Sequence, residues 1–498
     1  MPKKKIIIIG GGVAGLSAGI YGQMNGFDTH ILEMHTIAGG QCTAWNIGEY
    51  RFDYCLHWLV GTRRTTFNDI YKDTHIITDE VQIVNHDIHS YITDDVYGTF
   101  MIYSDIDTWE KYLLDISPAD EYAINTFCSN MKMGVKLEPF ENAPGCRSIL
   151  DYLKAAYKMG SLAFLMMKYG NMSARDYINS FNFKSEKINY FLQKLYGQAD
   201  FSALVVMLML SWFHDKNAGY LIGGSLPIAV RMMKRHRELG GKISFKSKVD
   251  KIIVENNKAK GVILEDGTKL EADVVLSAAD GHNTLYHMLE GKFVTPLLNE
   301  AYKNWKLFNP FVQISFGIND KVPSKNIIEM YYTKPFKLGN FEVKDGYYIM
   351  NQSAGDSTLA PDGKSSVIIR FDTNWETWEK VAPNQYHNEK ELILKDAIDL
   401  LESHYPGIEA KIEVTDVSTP ITENRITGVW KGSFEGFIPV GNVITSSIPM
   451  QLPHLKNFYM CGQWIYPGGG IPPSTQSGRW VIQTLCKHLK LPFATKPV

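Results

Sequence analysis

Ile6-Ile7-Ile8-Ile9-Gly10-Gly11-Gly12-Val13-Ala14-Gly15 stands close to the start of the chain, behind three lysines, and its reading decides the fold. The isoleucines are a β-branched run, the pattern of a strand buried on both faces in a parallel sheet. The glycines make a G-x-G-x-x-G. Behind them Val13, Leu16, Ile20 and Met24 recur at helical spacing. Thr29 to Leu32 reads as a second strand, and it ends in Glu33. Strand, glycine loop, helix, strand and acid stand in the order of a dinucleotide-binding βαβ unit. Gly10 permits the tight turn. Gly12 lets the backbone approach a pyrophosphate at the helix N-terminus, where Val13 and Ala14 begin the helix, and Gly15 lets helix and strand pack closely. Glu33, 18 residues past Gly15 and followed by Met34, can accept hydrogen bonds from a ribose diol.

The lysines and isoleucines also imitate a signal peptide. The apolar run is only four residues long, however, and cleavage near Ala18 would destroy the glycine motif, so secretion is not expected.

Composition bounds the rest. A length of 498 residues corresponds to two to four domain-sized units. Hydrophobic residues at 45% and charged residues at 21% are those of an ordinary soluble protein. Lys+Arg of 51 against Asp+Glu of 53 leaves −2, which excludes a broad basic face for nucleic acid. An aromatic content of 12% argues against disorder. Six cysteines (Cys42, Cys55, Cys128, Cys146, Cys461 and Cys486) are scattered without a C-x-x-C, so a reducing, cytoplasmic setting is expected. The longest apolar run, Ala203 to Phe213 with Ser211 inside it, is 11 residues, against roughly 20 for a spanning helix.

Two later blocks carry similar signals. Leu221-Ile222-Gly223-Gly224-Ser225 precedes an amphipathic helix with Ile228, Met232 and Leu239 on one side, ended by Gly240-Gly241. Strands are expected at Lys242 to Phe245 and Val249 to Val254, with a hairpin turning at Asp266-Gly267. Val274-Val275-Leu276 then returns to the sheet before Ser277-Ala278-Ala279-Asp280. Near the C-terminus, Asn457 to Cys461 is a strand ending in Gly462. Gln463 to Tyr466 leads to Pro467-Gly468-Gly469-Gly470-Ile471-Pro472, with a helix from about Ser474.

Together these stretches resemble the FAD enzymes of the amine oxidase and phytoene desaturase superfamily. Gly39-Gly40 follows Glu33 as a Gly-Gly-Arg follows the acid there, with Gln41 in place of the Arg. Tyr50-Arg51-Phe52-Asp53-Tyr54-Cys55-Leu56-His57-Trp58-Leu59-Val60-Gly61 looks like the Phe-Asp-x-Gly-x-His-Tyr-x-x-Gly of the carotenoid isomerase and retinol saturase branch. Cys55 stands for the first glycine and Trp58 for the Tyr. The block from Tyr220 to Asp280 is similar to the family's middle segment, which implies an adenine at Val249 and a cofactor contact at Ala279. The terminal block is similar to its flavin-contacting motif, which implies that Gly462, Gly469, Gly470 and Ile471 meet the isoalloxazine. Amides there would stabilise negative charge on the reduced ring. Thr419 to Gly436 resembles the pre-terminal segment.

The resemblance implies an α/β fold: a discontinuous, Rossmann-like FAD-binding domain of the glutathione reductase type (1–61, 220–290 and 415–498). An α+β substrate domain with a helical lid (62–219 and 291–414) is inserted in it. It implies non-covalent FAD and an oxidoreductase acting on an apolar isoprenoid or polyene by desaturation, saturation or isomerisation. Hydride would pass at flavin N5. The electron partner stays open among NAD(P)H, a quinone, oxygen and a protein. An amine oxidase-like enzyme and a non-catalytic prenyl- or lipid-binding protein are the rivals of the same fold.

Strands are expected at Phe311 to Gly317 and Ser366 to Phe371. The Met- and Leu-rich stretch from Leu150 to Phe213 reads as core or as a lid that touches the bilayer without spanning it. His57 is the first candidate proton donor, with a packed or hydrogen-bonded histidine as the competing reading. Tyr466 is the second, against an aromatic wall of the pocket. Arg425 either anchors a polar substrate end or makes a surface salt bridge. His86, His89, His282 and His287 lack partners at ligand spacing and read as solvated loop residues, so no metal is expected.

Overall fold

In the computed structural model the described residues are 3–136, 138–158, 160–195, 201–324, 326–440, 443 and 448–497. Lys5–Ile9 forms the central strand of a five-stranded parallel sheet. Across that sheet run Lys242–Ser244, Asp28–Leu32, Lys5–Ile9, Val274–Ser277 and Phe458–Met460. Its pairing is Ile7 to His30 on one side and Ile7 to Val275 on the other. Ile6, Ile7 and Ile8 are fully buried, which is why the run needs no polar alternation. The three sequence blocks thus meet in one sheet.

The helix Val13–Met24 crosses behind this strand. Gly15 is where they touch: a Cβ there would sit 2.0 Å from the Gly10 carbonyl oxygen, so no larger residue fits without moving backbone. The terminal helix Ile471–His488 packs on the same helix just as closely. A Cβ on its Gly478 would lie 2.5 Å from the Ala14 carbonyl oxygen, and Ser17 Oγ donates to the Thr475 carbonyl at 2.7 Å. This helix begins at Ile471, three residues before the expected Ser474. Prolines 472 and 473 fit because the first turn of a helix has no use for its amide hydrogens.

A second sheet has seven strands, in the order Ile412–Ser418, Phe311–Ile318, Ser365–Asp372, Tyr347–Met350, Ile328–Tyr332, Ile88–Asp94 and Gly98–Tyr103. Its pairs are antiparallel except Ile328–Tyr332 with Ile88–Asp94. Ile412–Ser418 joins this sheet whole, so the expected boundary at 415 falls inside a strand. Both expected strands, at 311 and 366, are central and fully buried along most of their length. Helices from Ile106 to His214 pack on the sheet's face through Trp109, Phe127, Tyr177 and Phe191.

The hairpin Ala44–Ile47 with Tyr50–Asp53 joins the two sheets. Arg370 Nη2 in the second sheet donates to the Tyr54 carbonyl at 2.7 Å, and Gln313 Nε2 donates to the Asp53 carbonyl at 3.2 Å. Asp53 in turn accepts from Ser225 N at 2.5 Å and from Leu56 N at 2.8 Å. Burial pushes its carboxyl up, and these four-sided hydrogen bonds pull it back.

Candidate nucleotide and redox site

One large cavity, about 850 Å³, opens where the glycine motifs converge. Gly10, Gly12, Val13 and Ala14 line it at the start of the first helix. Glu33, Met34, Gly39, Gly40 and Gln41 line it from the second strand and the loop beyond. Val249 and Ala279 come from the middle block, and Gly462, Gly470 and Ile471 from the terminal one. Fourteen of the residues expected to hold a cofactor therefore share one wall space. Gly15 and Gly469 lie behind it. Gly469 is packed against Glu435, where a Cβ would meet the Glu435 carbonyl oxygen at 2.2 Å.

The cavity's donor chemistry fits a dinucleotide. The helices Val13–Met24 and Ile471–His488 both begin at glycines, Gly12 and Gly470, with no side-chain cap and no acid in the first turn. Their free amide hydrogens and positive dipole ends face the cavity, a setting that favours anions. A Cβ built on Gly12 would be in ordinary contact with the Gly39 carbonyl oxygen at 3.7 Å and with Gly40, so the first helix and the Gly39–Gly40 loop close on each other at the cavity wall. Glu33 accepts from Gly11 N at 2.7 Å through Oε2 and from His35 N at 2.8 Å through Oε1. Two backbone amides fix the carboxylate, and its remaining lone pairs suit a vicinal diol. Gln463 Nε2 donates to Gln41 Oε1 at 3.2 Å, and Gln41 Nε2 donates to the Ser433 carbonyl at 3.1 Å. Gln41 thus uses its amide to tie three segments together, where an arginine would have brought charge.

Three carboxyls, two buried and one half-buried, stand at or beside this space. Asp280 lines the cavity and accepts from Asn283 N at 2.7 Å and Trp430 N at 2.9 Å. Burial nevertheless pushes it up to about 7. Glu423 stands beside Gln41 and Tyr54, also raised to about 7 by burial. Glu435 lines the cavity beneath Gly470, and none of the described residues hydrogen-bonds its carboxyl. Burial alone pushes it up to about 7.

Neither expected proton donor lines this cavity. His57 lies in a second, much smaller one with Trp58, His86 and His89. Arg370 Nη1 donates to its Nε2 at 3.3 Å, and burial, then the guanidinium, pushes the ring down to about 3. The imidazole is therefore neutral and an acceptor. Tyr466 stacks on Trp480 with centroids 5.4 Å apart, and burial raises its phenol. Arg425 lines the mouth of the main cavity. The solvated-histidine expectation is corrected at two positions. His89 is 8% exposed within an aromatic cluster, and His282 lines the main cavity, stacked on Trp430 at 4.5 Å and 3°. Both sit among large aromatic side chains contributed by distant segments, which spacing along the chain does not reveal.

Sequence reasoning missed Glu435, Arg370 and the meeting of Cys42 with Cys55. Glu435 lies inside the pre-terminal stretch that was singled out, but nothing local marks its side chain as the one facing inward. All six cysteines are free, as their scatter implies, but the chain segments on either side of the 44–53 hairpin bring Cys42 and Cys55 together.

A parallel sheet with a glycine-lined cavity at the ends of its strands, joined to a second, mostly antiparallel sheet through the 44–53 hairpin, has the architecture of a Rossmann-type oxidoreductase. Residues 8–74 match the model of an NAD(P)-binding Rossmann-like domain. The chain is 22% identical to a chloroplastic prolycopene isomerase of Daucus carota, over 97% of this chain and 79% of that one. It is 24% identical to a 4,4'-diapophytoene desaturase of Methylomonas, over 98% and 96%. An oxidoreductase structure from Methanosarcina mazei shares the fold, with a TM-score of 0.64, 16% identity, and coverage of 96% of this chain and all of that one. The resemblance to the phytoene desaturase and carotenoid isomerase enzymes thus runs over nearly the whole length. The chain is an oxidoreductase similar to these enzymes.

Proposed function

We propose that this chain binds FAD non-covalently and desaturates, saturates or isomerises carbon–carbon bonds of an apolar polyene or isoprenoid. The observation that carries the reading is the convergence of three distant segments, Gly10–Gln41, Val249–Ala279 and Gly462–Ile471, on one cavity. The names of its isomerase and desaturase relatives supply the substrate class. The diphosphate rests on the amides of Gly12 to Ala14, the ribose diol on Glu33 and the adenine near Val249. The ring lies against Gly462, Gly470 and Ile471. When bound, the flavin supplies hydride transfer at its N5.

The chain's own groups do the rest. The amides at Gly470 and Ile471 oppose negative charge at the ring's carbonyl edge. Glu435 is the proton-handling group: burial raises its carboxyl to about 7, it lines the cavity, and it has no hydrogen-bonding partner among the described residues, so it can give or take a proton near pH 7. The second sheet and its helices, tied to the cavity wall through Arg370, Gln313 and the 44–53 hairpin, would hold the apolar substrate.

The substrate comes from the bilayer. The helix Ile149–Lys158 exposes Ile149 by 80%, Leu150 by 66% and Tyr157 by 90%, and Met167 in the next helix is 88% exposed. Lysine 154 stands among them, beside lipid headgroups. No described helix is long and apolar enough to cross a membrane, so the contact is peripheral. Liposome flotation tests this: the protein rises with lipid, whereas full recovery in the soluble fraction contradicts it. For the redox reading, incubation of FAD-loaded protein with a polyene should change the polyene's absorption. Turnover of amines with peroxide release and no effect on polyenes would replace it with the amine oxidase reading.

A further inference from the structure

Cys42 and Cys55 are brought together by the antiparallel pair Ala44–Ile47 with Tyr50–Asp53. Ala44 pairs with Asp53, and the Tyr54 N–H donates to the Thr43 carbonyl at 3.1 Å, which carries the ladder one step further out. Cys42 and Cys55 come next, one on each segment. Thr43 N–H turns back to the Gln41 carbonyl at 3.0 Å and Cys42 N–H to the Gly39 carbonyl at 3.1 Å, so the ladder ends at this step, with Cys42 and Cys55 flanking its last hydrogen bond. A disulfide spans about 4.4–6.8 Å between Cα atoms. The Cys55 thiol donates to Cys42 Sγ, whose own S–H donates to the Ser225 carbonyl at 3.5 Å. Both cysteines are free and both line the main cavity. Cys42 is 3% exposed, so the cavity is the way in.

We propose that Cys42 and Cys55 are a redox-active dithiol that hydrogen peroxide, reaching them through the cavity, closes to a reversible disulfide. One sulfur attacks a peroxide oxygen; the O–O bond breaks, a sulfenic acid forms and water leaves. The second sulfur attacks the sulfenic sulfur; the S–S bond forms and a second water leaves with the thiol proton. The two thiols lose two electrons and the peroxide gains them. Contact with Cys42, burial, and the Asp53 and Glu435 carboxyls hold Cys55 protonated above the usual thiol range, so Cys42 is the sulfur that attacks the peroxide and Cys55 the one that resolves the sulfenic acid. The closed disulfide ties the Gly39–Gln41 loop to the end of the strand Tyr50–Asp53, against the face where a nucleotide would lie. That consequence rests on the flavin reading; the dithiol itself does not.

Trypsin cuts after Arg51, between the two cysteines, so a disulfide holds two peptides together. The full chain, flavin-free and FAD-loaded, is treated with hydrogen peroxide, denatured in N-ethylmaleimide, digested without reductant and analysed by mass spectrometry. The expected product is one species joining the Cys42 and Cys55 peptides, about 2 Da lighter than the two thiol peptides summed. Dithiothreitol separates it, while Cys128 and Cys461 carry maleimide. In Cys55→Ser, dimedone traps Cys42 as its sulfenic acid. Separate maleimide adducts on Cys42 and Cys55 after peroxide, in the wild-type chain, overturn the proposal. A disulfide that forms in protein unable to take up FAD upholds the dithiol while the flavin reading fails.

Discussion

Glu33 accepts a hydrogen bond from the amide of Gly11 at 2.7 Å, so the acid at the end of the second strand is locked to the loop at the end of the first. The contact is tight: a Cβ on Gly11 would lie 3.0 Å from Glu33 Oε2. One carboxylate therefore both shapes the glycine loop and presents its remaining lone pairs to a ribose.

Glu33→Gln keeps the shape and removes the charge. A hydrogen bond to a charged group is worth about 1.5–3 kcal/mol, so FAD affinity should fall roughly 10- to 100-fold with little change in fold. Fluorescence titration with FAD measures it, and unchanged affinity would remove Glu33 from the site.

Gly15→Ala places a methyl 2.0 Å from a backbone carbonyl oxygen that cannot move without disturbing the sheet. A loss of about 3 kcal/mol is expected, in the range of severe overpacking. Gly26→Ala serves as a contrast, since a Cβ there meets nothing within 4 Å, although its φ of +78° carries backbone strain. Denaturant unfolding should rank Gly15→Ala as the more damaging change.

Glu435, held up to about 7 by burial, is neutral in the folded chain at pH 5 and charged at pH 8. Its folded value lies above its unfolded one. Stability from this group is thus fully present below about pH 4.5 and is lost as pH rises through 7. Asp280 and Glu423 act in the same direction. Thermal melting between pH 5 and 8 should fall less steeply in Glu435→Gln than in the wild type. If Glu435 handles the proton in turnover, the limb of the pH–rate profile near 7 also disappears in that variant.

His57 is pushed down to about 3, so its ring should not titrate between pH 5 and 8. Its carbon-bound proton resonances report this directly; a midpoint near 6.5 would contradict the buried contact with Arg370. Arg370→Met should be far more destabilising than His57→Asn. It orphans the Tyr54 carbonyl and Gln313 Oε1, which the guanidinium bonds at 2.7 and 2.6 Å.

What could be read from sequence was local. The Ile6–Ile9 strand, the Gly10–Gly15 loop and Glu33 announce themselves because turn geometry and helix period are written in adjacent residues. The hairpin at Asp266-Gly267 was legible for the same reason, and Gly267 has the φ of +87° that such a turn demands. The second sheet was legible only in part. Its strands at 311 and 366 are apolar runs, but Ile88–Asp94 reaches them from more than 200 residues away, through pairing with Ile328–Tyr332. The cofactor wall was found because glycines mark backbone approach. The chemistry-bearing side chains were not, because whether His57 or Glu435 faces the cavity depends on which way a buried segment is rotated. Periodicity in irregular chain does not encode that.

The measurement that tests the whole account most directly is the visible spectrum of the purified chain, before and after incubation with FAD and gel filtration. The account predicts a band at about 450 nm, one flavin per chain, bleached by dithionite. A colourless protein that takes up no FAD would contradict it.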